Sequence, residues 1–458
     1  MTVNRSKVKT PIKTKNVEER ISNFNEIILG YTKEEAQNEA ARCLNCKNPT
    51  CISGCPASNN IPLFIKYIKE DNLEAAYSTI RLTSNMPEIC SRVCDQSKQC
   101  EGKCIRAKNG EAVAIGMLER YVLDNYSKNA AKPQYFSKKV AIIGSGPAGL
   151  SCAEELNSLG YGVAIFERKD RYGGLLTYGI PNYRLPYQFV EKKIEKLECS
   201  GIEFKNNYSF LKDFSFKSLK DKGYSAIFVA IGAGKAKYMH IPGEDLVNFL
   251  TSEEVLENIS SLSKWNISPK KPILYGKIAV VGGGNSAIDV ARSAIRLNGV
   301  KSVDIIYRRT KEDMPAAVNE VEEALAEGVK LNTLTNPIEI LGNENREVSG
   351  LRCVKMYQTE VGSDGRKGVK PILNSEFDQS FDFVIYAIGN DCESYLSGLD
   401  EIEVTRWNSI IVNGNGQTTK NPYIFAAGDV VTGPATVVQA MRDGKKTAHK
   451  IDEFLKNI

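Results

Sequence analysis

Val140-Ala141-Ile142-Ile143-Gly144-Ser145-Gly146-Pro147-Ala148-Gly149-Leu150 is a short apolar run that breaks directly into three spaced glycines. A helical pattern follows over residues 150–159 and a second apolar strand over 162–166, which makes one βαβ unit of about 30 residues. Glycines let a backbone approach a pyrophosphate, and the helix that follows offers it free N–H groups and a positive dipole end. Taken alone such a loop is a weak signal. The pattern returns, however, as an apolar strand at 277–281, then Gly282, Gly283, Gly284, Asn285, Ser286 and Ala287, a helix to about Leu297, and a strand at 302–307. Each loop is expected to hold one dinucleotide.

Working outward, apolar strands at 226–231 before Gly232 and at 383–388 before Gly389 read as the closing strands of two nested dinucleotide folds. The final strand at 424–427, Gly428, Asp429 and a helix over 436–446 cannot belong to the second fold once Ile388 has closed it, so they return to the first. Residues 17–130 have helical composition, and the pattern shifts around Lys132 to Lys139 through a proline and a short basic stretch. The fold class is therefore α/β: a helical N-terminal domain, 1–133, then two nested Rossmann-like domains. The first is split into 134–271 and 394–458, and the second is inserted as 272–393.

The surroundings of each loop suggest which dinucleotide it takes. Glu167 ends the second strand of the first fold, 23 residues beyond Gly144, where a carboxylate accepts hydrogen bonds from ribose hydroxyls. A glycine-rich passage, Gly173, Gly174 and Leu175, then Arg184, suits close approach to a flat ring. Together with Gly146, Pro147, Ala148, Gly149, Gly428, Asp429 and the helix starting near Thr436, this points to extended FAD in the first fold. In the second fold the equivalent strand ends in Tyr307, Arg308 and Arg309 with no acid, so beside Gly282, Gly284, Asn285 and Ser286 the site suits the 2′-phosphate of NADPH better than NADH. The alternative is a surface pair facing Glu312 and Asp313.

With 458 residues, 42% hydrophobic and 25% charged, the chain is long enough for about three domains. Its net charge of +5 is modest and its charges are interleaved except over residues 5–15, a basic tail expected to fray, so nucleic acid is not the main partner. No apolar run reaches the roughly 18 residues of a bilayer span, and residues 1–12 lack a signal-peptide hydrophobic region, so no membrane is expected and the place is the cytoplasm. Only His240 and His449 occur, which removes most zinc, haem and His-based chemistry. Eight of twelve cysteines crowd between Cys43 and Cys104, while Cys152, Cys199, Cys353 and Cys392 stand singly and read as core.

The crowded cysteines run Cys43-x2-Cys46-x4-Cys51-x3-Cys55-Pro56, then Cys90-x3-Cys94-x5-Cys100-x3-Cys104. In a reducing compartment they ask for soft metals rather than disulfides. Zinc would accept two sets of four, but the Cys-x3-Cys-Pro ending resembles ferredoxin, whose last cysteine serves the other cluster. A redox disulfide is missing: Leu175 and Leu176 follow Gly174, and the second fold has no Cys-x2-Cys. The clusters remain as the electron conduit.

Residues 42–56, 144–150, 167–181, 282–289 and 426–430 together resemble the small subunit of NADPH-dependent glutamate synthase. They are similar too to the N-terminal part of dihydropyrimidine dehydrogenase and to the large subunit of NADH-dependent ferredoxin:NADP oxidoreductase. The resemblance implies two [4Fe–4S] clusters, FAD and NADPH. It implies Cys43, Cys46, Cys51 and Cys104 as ligands of one cluster and Cys55, Cys94 and Cys100 as three of the other. In the family the last ligand is a Gln or Glu about 15 residues after the final cysteine, where Glu119 stands. Cys90 is the competing candidate. The spacing Cys94-x5-Cys100 is longer than in the glutamate synthase branch and nearer the other two. The implied chemistry is hydride transfer from NADPH to FAD, with no side-chain acid or base required, then single-electron steps to a second redox subunit. That partner is a glutamate synthase large subunit, a small flavoprotein of a ferredoxin-linked transhydrogenase, or ferredoxin. A non-catalytic redox sensor is the rival from another class.

Overall fold

Alternation of apolar strands with one-sided apolar helices produces two parallel five-stranded sheets in the computed structural model, which describes residues 4–128, 138–268, 273–362 and 367–458. The first sheet runs Ile424–Ala426, Tyr224–Val229, Lys139–Ile143, Gly162–Phe166, Glu203–Lys205. The return of the last strand to the first sheet is borne out: Phe425 pairs with Phe228 in parallel register. The second sheet runs Phe249–Thr251, Phe383–Tyr386, Gly276–Val281, Val300–Ile306, Lys330–Asn332. An antiparallel sheet built on Val348–Val361 is appended to it. Among the described residues no helix is long and apolar enough to cross a membrane.

The boundaries expected at 133/134 and 271/272 fall outside the described residues. Flanking strands nevertheless move the second one: Phe249–Thr251 pairs with Phe383–Tyr386, and the helix Ser252–Trp265 packs Val255, Leu256 and Ile259 into the core of the second sheet. The chain leaves the first domain at Lys235–Ala236 and comes back at Asn390–Asp391, and these two short strands pair with each other.

Seven α-helices between Val17–Ser22 and Ile115–Asn125 make the N-terminal domain. Its basic leader does not fray over residues 4–15. Arg42 is fully buried, and beyond its ion pair with Glu39 (2.6 Å) its guanidinium needs carbonyl acceptors. Ser6 supplies one at 3.2 Å, while Thr10 accepts from Tyr31 at 2.6 Å and donates its N–H to Glu39 at 2.6 Å. Cys199 is also not core: it is exposed at the end of the helix Tyr187–Cys199, whose buried face carries Val190, Ile194 and Leu197. Cys152, Cys353 and Cys392 are buried as expected.

The helical domain sits on the flavin-type sheet domain through its own apolar residues. Met86, Ile89 and Cys90 belong to the same core as Val140, Ile142 and Phe228. Beside them Glu154 pairs with Arg81 at 2.6 Å and with Lys193. Burial alone would raise the Glu154 carboxyl, but these two cations hold it at about 2.

Candidate functional site

The two glycine loops meet the same steric demands. Gly144 and Gly282 take positive φ, and a Cβ there would lie 2.5 Å from the Ala230 carbonyl oxygen and 2.2 Å from that of Ala387. Gly149 allows its helix to settle on the loop, since a Cβ would sit 2.0 Å from the Gly144 oxygen. Gly146 and Gly284 are different: a Cβ on either meets no atom within 4 Å. Both are the capping residues of helices, Pro147–Ser158 and Asn285–Ala294, that have no side chain on their first N–H groups. Bare backbone, free donors and open space in front fit the pyrophosphate of a dinucleotide at each loop. Gly146→Ala is therefore expected to leave the fold intact while reducing bound flavin, whereas Gly149→Ala prevents folding. Flavin absorbance and thermal unfolding of the two purified variants check this, and equal flavin content in Gly146→Ala and the parent refutes it.

Three elements converge on the first loop through one hydrogen-bond chain. The Gly173 amide donates to Ser145 Oγ at 3.0 Å, and Ser145 donates from Oγ (2.6 Å) and N (3.0 Å) to Glu167. Glu167 thus stands beside the loop, with its other oxygen accepting from the Lys169 amide. Gly174 has φ +55° and its Cβ position lies 3.0 Å from Gly146 Cα, so the glycine-rich passage runs directly over the loop. Leu175 follows, exposed, at the start of a short helix. From the far end of the chain comes Gly428, at φ +76°, where a Cβ would lie 3.0 Å from the Ala148 Cβ. Asp429 accepts from the Ala435 amide, and burial raises its carboxyl to about 6. Thr436 caps the 20-residue helix Val437–Lys456 in a capping box with Gln439.

Arg184 is placed differently from the expectation. Its guanidinium grips Asp289 at 2.7 and 2.8 Å and reaches Glu320 at 3.3 Å, so it ties the flavin-type domain to the second glycine-loop helix instead of facing the first dinucleotide. At the second loop Asn285 and Ser286 are exposed in the first turn, and Asn285 Oδ1 accepts from the Ala317 amide at 3.0 Å. Arg308 is exposed, and among the described residues it pairs with neither Glu312 nor Asp313; Asp313 instead accepts from Thr310 and Gln358. Arg309 donates to the Lys367 carbonyl at 3.1 Å.

In the helical domain Cys43, Cys46, Cys51 and Cys104 line one pocket with Pro49, Ile61, Ile65, Val113 and Ile115. Cys55, Cys94, Cys100 and Glu119 form a second group. Burial, then the Glu119 charge, raises the Cys55 thiol, and burial together with Glu101, Glu119 and Cys55 raises Cys100. Cys94 is raised first by its hydrogen bond with Cys90, then by burial. Glu119 itself is pushed to about 8 by burial and by Glu88, while Asn59 donates to it at 3.3 Å. Groups held neutral in this way ionise when a cation arrives and displaces their protons. Thiols spread around a cavity suit a cluster in which each iron takes one ligand. Both candidates for the fourth ligand stand at this group: Cys90, packed with Met86 and Ile89, is hydrogen-bonded to Cys94, and Glu119 acts on Cys55, Cys94 and Cys100.

Two glycines that the cysteine and loop patterns did not single out hold these sites together. Gly54 lets the helix carrying Cys51 pack on the turn before Cys104, since a Cβ would lie 2.7 Å from the Gln99 oxygen. Gly444 lets the last helix cross the first glycine-loop helix, with a Cβ position 2.2 Å from the Ala148 oxygen.

Two family models match: the 4Fe-4S domain II of dihydropyrimidine dehydrogenase over residues 20–131, and pyridine nucleotide-disulphide oxidoreductase over residues 138–444. The glutamate synthase [NADPH] small chain of Azospirillum brasilense is 37% identical over 451 residues, covering 96% of this chain and 93% of that one. The NADP(+)-dependent formate dehydrogenase subunit beta of Moorella thermoacetica is 36% identical over 436 residues, covering 89% of this chain and 60% of that one. Among solved structures, Mycobacterium tuberculosis FprA in complex with NADPH superposes with a TM-score of 0.59 at 19% identity, over 70% of this chain and 85% of that one, a likeness of fold. With its cysteine-rich helical domain and two dinucleotide loops, the chain belongs to the glutamate synthase small-chain family of NAD(P)H-dependent flavin and iron–sulfur oxidoreductases.

Proposed function

We propose that this chain is an electron-input subunit in the cytoplasm: it oxidises NADPH and delivers single electrons through its helical domain to a second redox subunit, the large subunit of a glutamate synthase. When bound, FAD accepts hydride as an electron pair and the two [4Fe–4S] clusters carry electrons singly. The observation that carries this reading is the order of the two cysteine groups. Cys94 packs against the flavin-type core, while Cys55 and Cys100 of its group share the helical domain's own core with Cys43, Cys51 and Cys104, the last three of which rim a pocket with exposed Leu44 and Ile105. Through Cys94 one group reaches the flavin-type core, whereas the pocketed group opens to the surface, which supports an inner and an outer station.

The remaining roles belong to the chain's own side chains. Gly146 and Gly284 present free helix donors to the pyrophosphates, Glu167 stands where ribose hydroxyls donate, and exposed Arg308 has its guanidinium available for a 2′-phosphate. The helix capped by Thr436 directs its positive end toward the first site's neighbourhood, where negative charge on a reduced ring is stabilised.

Anaerobic stopped-flow mixing tests the nucleotide. NADPH is expected to bleach the flavin faster than NADH. Arg308→Ala is expected to raise the NADPH concentration for half-maximal bleaching about 10- to 100-fold, the loss of one charge-assisted contact, and to leave NADH unaffected. Faster bleaching by NADH in the parent chain refutes the assignment. Anaerobic copurification tests the partner: a large amidotransferase-type protein supports the proposal. A small flavoprotein supports the ferredoxin-linked reading, which the spacing Cys94-x5-Cys100 favours.

A further inference from the structure

We infer that the surface around Cys43, Cys46 and Cys104 is a docking face for the acidic side of a protein carrying a one-electron centre. The inference rests on the reading that electrons leave through the helical domain.

Three segments of chain build this face. Thr50 Oγ1 donates to the Lys103 carbonyl at 2.6 Å, which joins the loop after Cys43 to the turn before Cys104. Arg106 donates to the Asn4 and Ser6 carbonyls, and the Glu111 amide donates to the Lys7 carbonyl at 2.7 Å, which lays the basic leader alongside. The result brings Arg5, Lys7, Lys47, Lys103 and Lys108, all exposed, and partly buried Arg106 into one region. Among the described residues none of these six cations forms an ion pair. The nearby acids have other commitments: Glu39 pairs with Arg42, Glu101 lies 3.8 Å from Lys9, and Glu111 accepts from the Lys9 amide.

Exposed cations outside any ion pair also occur elsewhere among the described residues, Lys212, Lys217 and Lys222 for example, but these six gather beside the cysteine pocket, and other surface cations are neutralised. Lys33 pairs with Asp71, Lys311 with Glu322, Arg346 with Asp245, and Arg352 with both Glu339 and Asp378. Six unneutralised like charges repel one another, and a partner that supplies negative charge turns this cost into attraction and faster encounter. At the middle of the patch Leu44 is 45% and Ile105 38% exposed, both lining the cysteine pocket. An apolar centre inside a charged rim is the anatomy of a protein–protein contact. A nucleic-acid face would interleave aromatic side chains for stacking, and the cations here surround a redox centre. The occupant is therefore an electron acceptor protein, seated where its own centre comes nearest the outer cysteine group.

The test uses the full chain with its flavin and clusters and two haem proteins of opposite charge as probes, acidic cytochrome b5 and basic cytochrome c, reduced anaerobically with NADPH. The parent is expected to reduce cytochrome b5 at least about 10-fold faster than cytochrome c at low ionic strength. That advantage should fall about 10-fold as salt rises from ~20 to ~500 mM and the Debye length shrinks. In the triple variant Lys47→Glu, Lys103→Glu, Lys108→Glu the cytochrome b5 rate should drop about 10-fold and the preference reverse, with flavin bleaching and iron content unchanged. The proposal is overturned if the parent prefers cytochrome c, or if the variant reduces cytochrome b5 at the parent's rate. It is equally overturned if the variant only loses retention on heparin, which would mark a general polyanion face. If NADPH fails to bleach the parent's flavin, the functional reading falls by itself, and dithionite-reduced protein still allows the same comparison of probes.

Discussion

Cys94→Ser and Cys100→Ser are each expected to cut NADPH-driven electron delivery to a protein acceptor at least about 100-fold while NADPH still bleaches the flavin at the parent rate. The two halves of this result have separate causes. On the proposed reading nucleotide and flavin contacts are built by the glycine loops, Glu167 and Arg308, none of which depends on the cysteine groups. In that same reading the helical domain supplies the way out, and serine, a harder donor whose hydroxyl gives up its proton far less readily than a thiol, does not hold iron of this kind well. Iron should fall by about half per chain, as the loss of one of the two proposed four-iron groups requires. Cys51→Ser should lose the outer group with the same separation of bleaching from delivery. If Glu119 is the fourth ligand, as the family resemblance implies, Glu119→Ala should change the spectrum of the inner group and Cys90→Ala should not, although Cys90 also touches Cys94. The opposite pattern, an unchanged Glu119→Ala beside a Cys90→Ala that has lost a cluster, would falsify the ligand set. Parent-like delivery by Cys94→Ser would remove the helical domain from the electron path altogether.

What the sequence made legible follows from the reach of each signal. A buried parallel strand ending in glycines is a local pattern, so both loops, both closing strands and the return of residues 424–426 to the first sheet could be read directly. Phe249–Thr251 could not: three residues carry no periodicity, and the strand is defined only by partners 135 positions later. The basic leader reads as solvent-loving because its composition is cationic, yet its Ser6 carbonyl accepts from the buried guanidinium of Arg42, a demand that lies outside the leader's own sequence. Arg184 follows a glycine-rich passage that does point at the first dinucleotide site, and nothing local says that its side chain turns the other way, to Asp289. Gly54 and Gly444 are single glycines in or beside helices, a context in which glycine is merely tolerated. Their meaning lies in the opposing backbones at Gln99 and Ala148.

Glu327→Gln is expected to destabilise the protein by about 3–5 kcal/mol and to slow flavin bleaching at saturating NADPH, from a position that touches neither dinucleotide loop. Glu327 lies between two fully buried guanidiniums. Its carboxylate accepts from Arg292 at 3.0 and 2.7 Å and from Arg296 at 2.8 and 3.0 Å, and Arg20 of the N-terminal domain lies 3.9 Å away. Burial alone would raise this carboxyl, but the bonds from the two arginines lower it, so it stays charged. The network continues from Arg292 to Glu320, from Glu320 to Arg184, and from Arg184 to Asp289 on the second glycine-loop helix. The Tyr183 ring sits under Arg292 and Arg296, with centroids 4.9 and 4.2 Å from the guanidinium carbons. One charge cluster therefore fastens the N-terminal helix, the flavin-type domain and the inserted domain in a single arrangement. Glutamine keeps the shape and removes the charge, which leaves Arg296 without an anion and Arg292 dependent on its more exposed partners. Hydride transfer demands near-contact between two bound rings, and about 1 Å of drift between the domains costs roughly 100-fold in rate. The expected signature is a bleaching rate 10- to 100-fold lower, flavin content unchanged, and a half-saturating NADPH concentration within about 3-fold of the parent. Glu323→Gln, at a side chain 20% exposed and paired only with Arg292, is the matched control and should cost under about 1 kcal/mol. If Glu327→Gln loses stability but bleaches at the parent rate, the cluster holds the domains together without setting the distance between the two rings.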